Sequence, residues 1–150
     1  MRILIQRCSK SAVVIDGTER RTSGAGMVIL LGIGHDDSES DIDWLVQKTV
    51  QLRIFPDDTG IMNRSILESG GDILLISQFT LHASTRKGNR PSYIAAARPE
   101  QAIPLYTTFI QKLTQSLGKS VTTGTFGADM QVELVNNGPV TIWMDSKAKE

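Results

Sequence analysis

The order of hydrophobic and polar residues along this chain predicts several short strands and two helices. Residues 3–7 alternate between apolar and polar side chains, which is typical of a half-buried strand. The apolar run 12–15 ends at Asp16-Gly17, a dipeptide typical of hairpin turns. The nearly continuous apolar run 27–33 predicts a central strand. Further strands are predicted at 54–55, 72–81, 121–123, 130–135 and 140–144.

Two segments carry apolar residues at helical spacing. The first follows the acidic stretch 35–40, and carboxylates in a first turn are favoured by the helix dipole. The second follows Pro99 and ends at Gly118. Pro104 lies inside it, so we expect the regular part of this helix to begin near Ile103.

The predicted strands come in runs and do not alternate strictly with the helices, which favours an α+β fold. A chain of 150 residues with 40% hydrophobic and 21% charged residues is expected to form one globular domain, residues 1–150. The formal net charge is zero, so no global field attracts nucleic acid. The charges are nevertheless unevenly distributed, because residues 27–72 hold nine acids and three bases, whereas residues 73–128 hold six bases and one acid.

The content of cysteine and histidine limits the chemistry of the chain. Cys8 is the only cysteine, which excludes an internal disulfide and favours a reducing compartment, so we expect a cytoplasmic protein. His35 and His82 have no partner at metal-ligand spacing, so neither a metal site nor a cofactor is expected. No apolar run approaches the ~20 residues that cross a bilayer, so no membrane partner is expected either.

The segment Ile73–Leu81 is a candidate functional site. Its apolar run is interrupted by Ser77 and Gln78, and Thr80 follows. A buried polar group without a partner costs about 1–3 kcal/mol, so these side chains must be satisfied or used. Three bases follow without an intervening acid, and they predict a site for an anionic substrate: Arg86, Lys87 and Arg90.

The same polar residues have a second interpretation, as strand-edge residues that the backbone satisfies. In a strand, His82 would share a side with Gln78 and Thr80, while Ser77 would point away. The spacing does not require a catalytic triad, and we expect His82 to be a partly exposed strand residue. The segment Asn136–Pro139 is equally ambiguous, because Asn-Gly-Pro is typical of a turn, here between two strands of a hairpin.

Two segments of the chain resemble the paired signature motifs of the D-aminoacyl-tRNA deacylases. They are Ser77-Gln78-Phe79-Thr80-Leu81 and Asn136-Asn137-Gly138-Pro139-Val140-Thr141. The resemblance extends in the family's order and spacing over essentially the whole chain, including residues 1–7, 52–55, 86–92, 95–99 and 126–130. The chain departs from the pattern at Asn137, where many relatives have Asp, and at His82, where an aromatic residue is common.

The resemblance implies a barrel-like sheet, mixed or antiparallel, with two main helices. It also implies a homodimeric ester hydrolase that needs no cofactor, has its active sites at the subunit interface and binds no DNA. Such an enzyme cleaves D-amino acids from the acceptor end of tRNA, and glycine from mischarged Gly-tRNA, as proofreading in translation. Gly138-Pro139 is implied to be cis and to enter the partner's pocket, where it excludes L side chains by a clash, and Arg7 is implied to hold it.

The resemblance also implies a role for each candidate residue. The catalytic segment is Ser77, Gln78, Phe79 and Thr80. Its backbone N–H groups would stabilise the oxyanion while the tRNA 2′-hydroxyl assists water, and Thr80 as nucleophile is the alternative. The substrate-binding residues are Arg7, Phe126, Ala128, Met130, Asn136, Gly138, Pro139 and Thr141. The tRNA-binding residues are Arg86, Lys87 and Arg90. Two other functions are considered: a non-catalytic tRNA-binding or editing-accessory module of the same fold, and a homodimeric scaffold.

Overall fold

The computed structural model describes residues 1–149. Its strands are β1 (Arg2–Ile15), β2 (Glu19–Ser23), β3 (Gly26–Gly32), β4 (Phe55–Pro56), β5 (Met62–Arg64), β6 (Asp72–Ser77), β7 (Thr122–Thr123) and β8 (Met130–Asp145). Its helices are α1 (Glu39–Gln51), α2 (Ile66–Ser69) and α3 (Pro99–Leu117), with a 3₁₀ turn at Phe79–His82. None of these helices is long and apolar enough to cross a membrane.

The long strand β1 organises one mixed sheet. Along one edge it pairs antiparallel with β3 and then with β2, and along its other edge it pairs antiparallel with β8. Strand β6 lies parallel to β3, and β7 lies parallel to β6. The sheet curls until Arg21 of β2 donates a hydrogen bond of 2.8 Å from Nη1 to the carbonyl oxygen of Thr123 in β7. The predicted α+β fold with a barrel-like mixed sheet is therefore confirmed.

Both faces of the central strands are buried. One face packs under α1 and α3, where Ile5 and Leu75 belong to the same apolar cluster as Phe109. The other face lies inside the curl of the sheet, where Leu74 packs with Val132 of β8 and its neighbours. Burial on both faces explains why these strands have continuous apolar runs rather than alternation.

The hairpin predicted at Asp16-Gly17 is confirmed, with φ angles of 48° and 69°. Both central residues of a type I′ turn need positive φ. The strands predicted separately at 3–7 and 12–15 are, however, one strand. The pattern is interrupted where the register of β1 against β8 shifts between Gln6 and Lys10, so a bulge rather than a loop breaks the alternation.

Helix α3 begins at Pro99, so the prediction that its regular part starts near Ile103 is wrong. Pro104 lacks an N–H group, which leaves only the carbonyl of Glu100 without its helical donor. Glu100 is exposed, and water can satisfy that carbonyl. The helix is held by its buried face, which contains Ala102, Tyr106, Phe109 and Leu113.

Candidate active site

The first signature segment lies where β6 ends. The last pair of its ladder joins Ser77 to Leu31, because its partner β3 itself ends at Gly32. The N–H of Gln78 still donates to the carbonyl oxygen of Leu31 at 2.7 Å, and the chain then turns into the 3₁₀ helix. The prediction of a strand through residue 81 is therefore wrong in its last residues.

Gly32 is needed for this turn to lie against the sheet. A Cβ atom at position 32 would lie 2.9 Å from Cβ of Leu81, 3.0 Å from the carbonyl oxygen of Gln78 and 3.1 Å from Cδ2 of His82. The first of these distances is shorter than Cβ contacts in real proteins, and the other two would require the neighbouring atoms to shift, so the 3₁₀ turn lies directly on the backbone of β3.

His82 is buried, with 7% of its surface exposed, so the prediction of a partly exposed strand residue is wrong. The 3₁₀ turn directs its ring against Gly32 and Gly34. Burial is the main cause that lowers the pKa of its imidazole. Its Nε2 atom has no hydrogen-bond partner within residues 1–149, so the structure builds no triad of His82 with Ser77 or Thr80.

Two backbone donors are unused at the start of the 3₁₀ turn. Within residues 1–149, the N–H groups of Phe79 and Thr80 make no hydrogen bond, as expected for the first residues of a helical turn. The side chain of Thr80 is occupied, because its Oγ1 atom accepts a hydrogen bond of 2.5 Å from Nε2 of Gln78. Adjacent free N–H groups of this kind can stabilise a developing oxyanion.

A cavity of about 320 Å³ opens beside this turn. Ser77, Gln78 and Phe79 form one wall, and the predicted substrate-binding residues Phe126, Ala128 and Met130 line it as well. Its floor is apolar, with Leu31, Ile33, Ile76, Ala97 and Ala102. Thr80 is not among its lining residues. The volume is in the range of small-molecule sites.

Two alanines of this cavity were missed as site residues by the sequence analysis. Ala97 is positioned by its N–H group, which donates to the carbonyl oxygen of Ile33 at 2.8 Å, and Ala102 is a buried residue of α3. The available signal was the run Ala95-Ala96-Ala97, since small residues leave space at the end of a strand.

The predicted basic residues lie on an exposed loop that follows the 3₁₀ turn. Arg86, Lys87 and Arg90 are all exposed. The loop is closed by two backbone hydrogen bonds between Ser84 and Ser92, of 2.8 and 2.9 Å. Beyond it, the ring of Tyr93 contacts that of Phe79 edge to face, with centroids 5.0 Å apart.

The second signature segment is a wide bulge in β8, so the predicted hairpin turn is wrong. Thr141 pairs with Gln6 and Asn136 pairs with Cys8, which leaves residues 137–140 opposite Arg7 alone. The Asn-Gly-Pro sequence lies within the bulge, because β1 is a continuous partner and holds both flanks in one strand. The Gly138–Pro139 peptide bond is cis, and both residues are exposed.

Arg7 holds this bulge from beneath. Its guanidinium donates from Nε to the carbonyl oxygen of Asn137 at 2.9 Å and from Nη1 to the carbonyl oxygen of Ile54. The residue is 9% exposed, so the bridge lies largely out of water. A Cβ atom at Gly138 would lie 3.0 Å from Nη2 of Arg7, and the φ of 136° at that position also favours glycine.

The side chain of Asn136 closes the base of the bulge. Its Oδ1 atom accepts a hydrogen bond of 2.9 Å from the N–H of Val140, and its Nδ2 atom donates to Oγ1 of Thr141 at 3.3 Å. Residues 137–140 are thus fixed by side chains at both ends of the bulge.

The structure does not bring the two signature segments together within one chain. None of residues 136–141 lines the cavity beside Phe79. Arg7 and Asn137 line a separate cavity of about 120 Å³. One chain therefore carries an open cavity at one place and an exposed, fixed bulge at another.

Comparison with known proteins identifies the family. The model of the D-Tyr-tRNA(Tyr) deacylases matches residues 4–145. A D-aminoacyl-tRNA deacylase of Bacteroides thetaiotaomicron is 61% identical over 150 residues, and one of Chromobacterium violaceum is 56% identical, each with 100% of both chains covered. The solved structure of a c-Myc DNA unwinding element binding protein covers 99% of this chain and 100% of its own, with a TM-score of 0.93 and 36% identity. The chain therefore belongs to the D-Tyr-tRNA(Tyr) deacylase family.

Proposed function

We propose that this enzyme hydrolyses the ester bond of D-aminoacyl-tRNA and releases a free D-amino acid and tRNA, and that it also accepts mischarged Gly-tRNA. The observation that carries the proposal is the pair of unused N–H groups at Phe79 and Thr80 beside a cavity of about 320 Å³. Membership of the deacylase family supports the substrate class.

The chemistry is the addition of water to the ester carbonyl and the collapse of the resulting tetrahedral oxyanion. The N–H groups of Phe79 and Thr80 stabilise the oxyanion, and the 2′-hydroxyl of the terminal ribose assists the attacking water. The bond between the acyl carbon and the ribose 3′-oxygen then breaks, and the 3′-oxygen leaves and takes a proton. A hydroxyl nucleophile needs an adjacent base, and within residues 1–149 no carboxylate or imidazole is hydrogen-bonded to Oγ1 of Thr80.

Selection against L-amino acids is assigned to the bulge residues 137–140, which we call the gate segment. In the proposed homodimer, the gate segment of one subunit closes the cavity of its partner. Two enantiomers offer the same groups for attractive contacts, so a clash with one of them gives the discrimination. The fixed and exposed position of Gly138 and Pro139 supports this role, because a steric gate has to be rigid.

The surface of β8 supports a contact between two copies of the chain. Within residues 1–149, β8 has β1 as its one neighbouring strand. Val135 and Trp143 flank the gate segment on this strand and are 47% and 49% exposed. Large apolar side chains beside a free strand edge favour association with another chain.

The acceptor end of tRNA is positioned by charge and by the cavity. Arg86, Lys87 and Arg90 contact phosphates, which orient the substrate without reading its sequence. Phe126, Ala128 and Met130 contact the aminoacylated terminus. The buried free thiol of Cys8 suits the reducing cytoplasm, where such an enzyme meets its substrate.

The proposal is tested by incubating purified protein with D-Tyr-tRNA, L-Tyr-tRNA and Gly-tRNA and following release of the amino acid. We expect rapid hydrolysis of D-Tyr-tRNA and Gly-tRNA, with L-Tyr-tRNA spared. Comparable hydrolysis of L-Tyr-tRNA would contradict the steric gate. Binding of tRNA without hydrolysis would favour the accessory module, and absence of both would favour the scaffold.

A further inference from the structure

An exposed pair of aromatic rings lies at the edge of the cavity. Phe79 and Tyr93 are 55% and 39% exposed, and their ring planes meet at 76° with centroids 5.0 Å apart. Phe79 lines the cavity, whereas Tyr93 lies outside its lining residues. We call these two rings the aromatic platform, and it extends from the cavity edge onto the surface.

The geometry of the platform leaves aromatic surface free. In an edge-to-face contact, the edge of one ring covers one face of the other, so the remaining faces are not used by the pair itself. The neighbouring Ile94 is 86% exposed, so its side chain covers little of the patch. Nucleobases stack on exposed aromatic rings of this kind, and such stacking tolerates different bases.

The platform also stands at one end of the basic loop. Tyr93 directly follows Ser92, whose backbone bonds to Ser84 close the loop that carries Arg86, Lys87 and Arg90. A groove that binds single-stranded nucleic acid combines such cations, which contact the backbone phosphates, with aromatic rings, which contact the bases. The cavity, the platform and the basic loop are therefore linked in this order through Phe79, Tyr93 and Ser92.

We propose that Tyr93, together with the ring of Phe79, stacks on the base of the nucleotide that precedes the terminal adenosine of tRNA. This inference rests on the proposed function, because an ester bond beside the N–H groups of Phe79 and Thr80 places the terminal nucleoside in the cavity. The preceding nucleotide then leaves the cavity across the platform, and its phosphate faces the basic loop. Tyr93 is in this way a positioning residue for the acceptor end.

The test compares two substrates that differ only beyond the terminal nucleoside: D-Tyr-tRNA and the D-tyrosyl ester of adenosine. For Tyr93→Ala we expect KM for D-Tyr-tRNA to rise about tenfold with little change in kcat, since stacking on one ring contributes on that order. Hydrolysis of the adenosine ester is expected to stay at the wild-type rate. Tyr93→Phe should retain wild-type KM, and Ile94→Ala, which removes apolar surface without a ring, serves as the matched control.

Equal losses on both substrates for Tyr93→Ala, or no loss on D-Tyr-tRNA, would overturn the inference. So would a fall in oligomeric state of Tyr93→Ala in sedimentation velocity, because the patch would then be covered by a second copy of the chain. Removing the base of the preceding nucleotide from D-Tyr-tRNA should weaken wild-type binding and abolish the difference between wild type and Tyr93→Ala.

Binding of the trinucleotide cytidylyl-cytidylyl-adenosine, which carries no amino acid, tests the platform separately from the proposed hydrolysis. Tyr93→Ala should lower its affinity, and Ile94→Ala should not. A wild-type protein that binds the trinucleotide through Tyr93 but hydrolyses neither ester would contradict the proposed function and support the platform. Unchanged trinucleotide affinity in Tyr93→Ala, with D-Tyr-tRNA still hydrolysed, would contradict the platform alone.

Discussion

The hydroxyl of Thr80 is held by an amide rather than by a base, and this limits what the side chain can do. Gln78 donates to its Oγ1 atom at 2.5 Å, and the residue lies outside the lining of the cavity. The backbone N–H of the same residue is the group that is free. The structure thus separates the backbone of Thr80, which can stabilise charge, from its side chain, which positions Gln78.

We expect Thr80→Ala to keep deacylation of D-Tyr-tRNA within about tenfold of the wild-type rate, because the proposed oxyanion donors belong to the backbone. The measurement is single-turnover hydrolysis at saturating enzyme. Thr80→Ser, which keeps the hydroxyl, is the control for local packing. A loss of about 10²–10⁴ or more in Thr80→Ala, with an unchanged circular dichroism spectrum, would instead restore Thr80 as the nucleophile.

Arg7 is a buried cation whose hydrogen bonds go to backbone carbonyls instead of to a carboxylate. It joins Asn137 of the gate segment to Ile54 near β4. The planar guanidinium holds its donors in a fixed fork that matches the two carbonyls, whereas a lysine ammonium presents its donors from a single nitrogen on a flexible stem. Its function is therefore geometric, and lysine is not an equivalent replacement.

Arg7→Lys is expected to loosen the gate segment and so reduce the ratio of D-Tyr-tRNA to L-Tyr-tRNA hydrolysis by about tenfold, the cost of one charge-assisted hydrogen bond. The two rates are measured separately on the purified variant. Arg20→Lys is the matched control, because Arg20 forms a bidentate but exposed pair with Glu133 on the same sheet. Full discrimination in Arg7→Lys would show that the gate segment does not depend on this bridge.

Among the elements, the 3₁₀ turn after β6 depends on the strand beneath it. Gly32 allows the backbone of β3 to contact Gln78 and Leu81 directly, and this contact sets the position of the free N–H groups. The N–H groups that we propose as oxyanion donors are thus positioned by a residue that does not line the cavity.

For Gly32→Ala we expect the free energy of unfolding to fall by about 1–3 kcal/mol, because the added methyl group overpacks the turn. Deacylation should also fall, since the turn must shift by a few tenths of an ångström or more. Urea denaturation and D-Tyr-tRNA hydrolysis measure the two effects. Gly70→Ala is the matched control. The added Cβ atom would meet open space, but the φ of 67° at this position destabilises an L-residue by about 1–2 kcal/mol. This variant should therefore lose stability but not activity.

The elements also show what could be predicted from the sequence. The hairpin at Asp16-Gly17, the central strands and both long helices follow from local patterns, because turn chemistry and burial act on neighbouring residues. The end of β6 at Ser77 could not be predicted, since it depends on where its partner β3 ends. The continuity of β8 through Gly138-Pro139 depends in the same way on β1, a strand more than a hundred residues away in sequence.

The candidate site likewise has some features that local sequence predicts and others that depend on tertiary packing. Ser77, Gln78 and Phe79 of the predicted catalytic segment line the cavity and Thr80 does not, and their catalytic role stays a prediction. The burial of His82 and the lining by Ala97 and Ala102 arise from tertiary packing. Pro104 predicted a late helix start from local propensity, yet the buried face of α3 outweighs the one hydrogen bond that this proline removes. Local rules failed where a long-range partner determined the outcome.

In the whole molecule, the cavity and the gate segment belong to different regions of one curled sheet. The cavity lies at the end of β6, while the gate segment protrudes from the long strand β8. A single chain therefore holds the two parts without combining them, and the proposed homodimer combines each cavity with the gate segment of its partner.

Mixed dimers test this arrangement directly. Ala128→Trp fills the cavity with an indole and should inactivate its own site while its gate segment stays intact. Arg7→Lys keeps its cavity but has a loosened gate segment. Co-expression with two different affinity tags isolates dimers that contain one chain of each variant. The one working cavity then belongs to the Arg7→Lys chain, and its gate segment comes from the Ala128→Trp chain.

If the gate segment acts across the interface, the mixed dimer should hydrolyse D-Tyr-tRNA and spare L-Tyr-tRNA, although the Arg7→Lys homodimer discriminates poorly and the Ala128→Trp homodimer is inactive. If the gate segment acts within its own chain, the mixed dimer should discriminate as poorly as the Arg7→Lys homodimer. Discrimination by the mixed dimer would thus show that the gate segment acts on the partner's cavity. The mixed dimer has one working cavity and one intact gate segment, and these two parts lie on different chains.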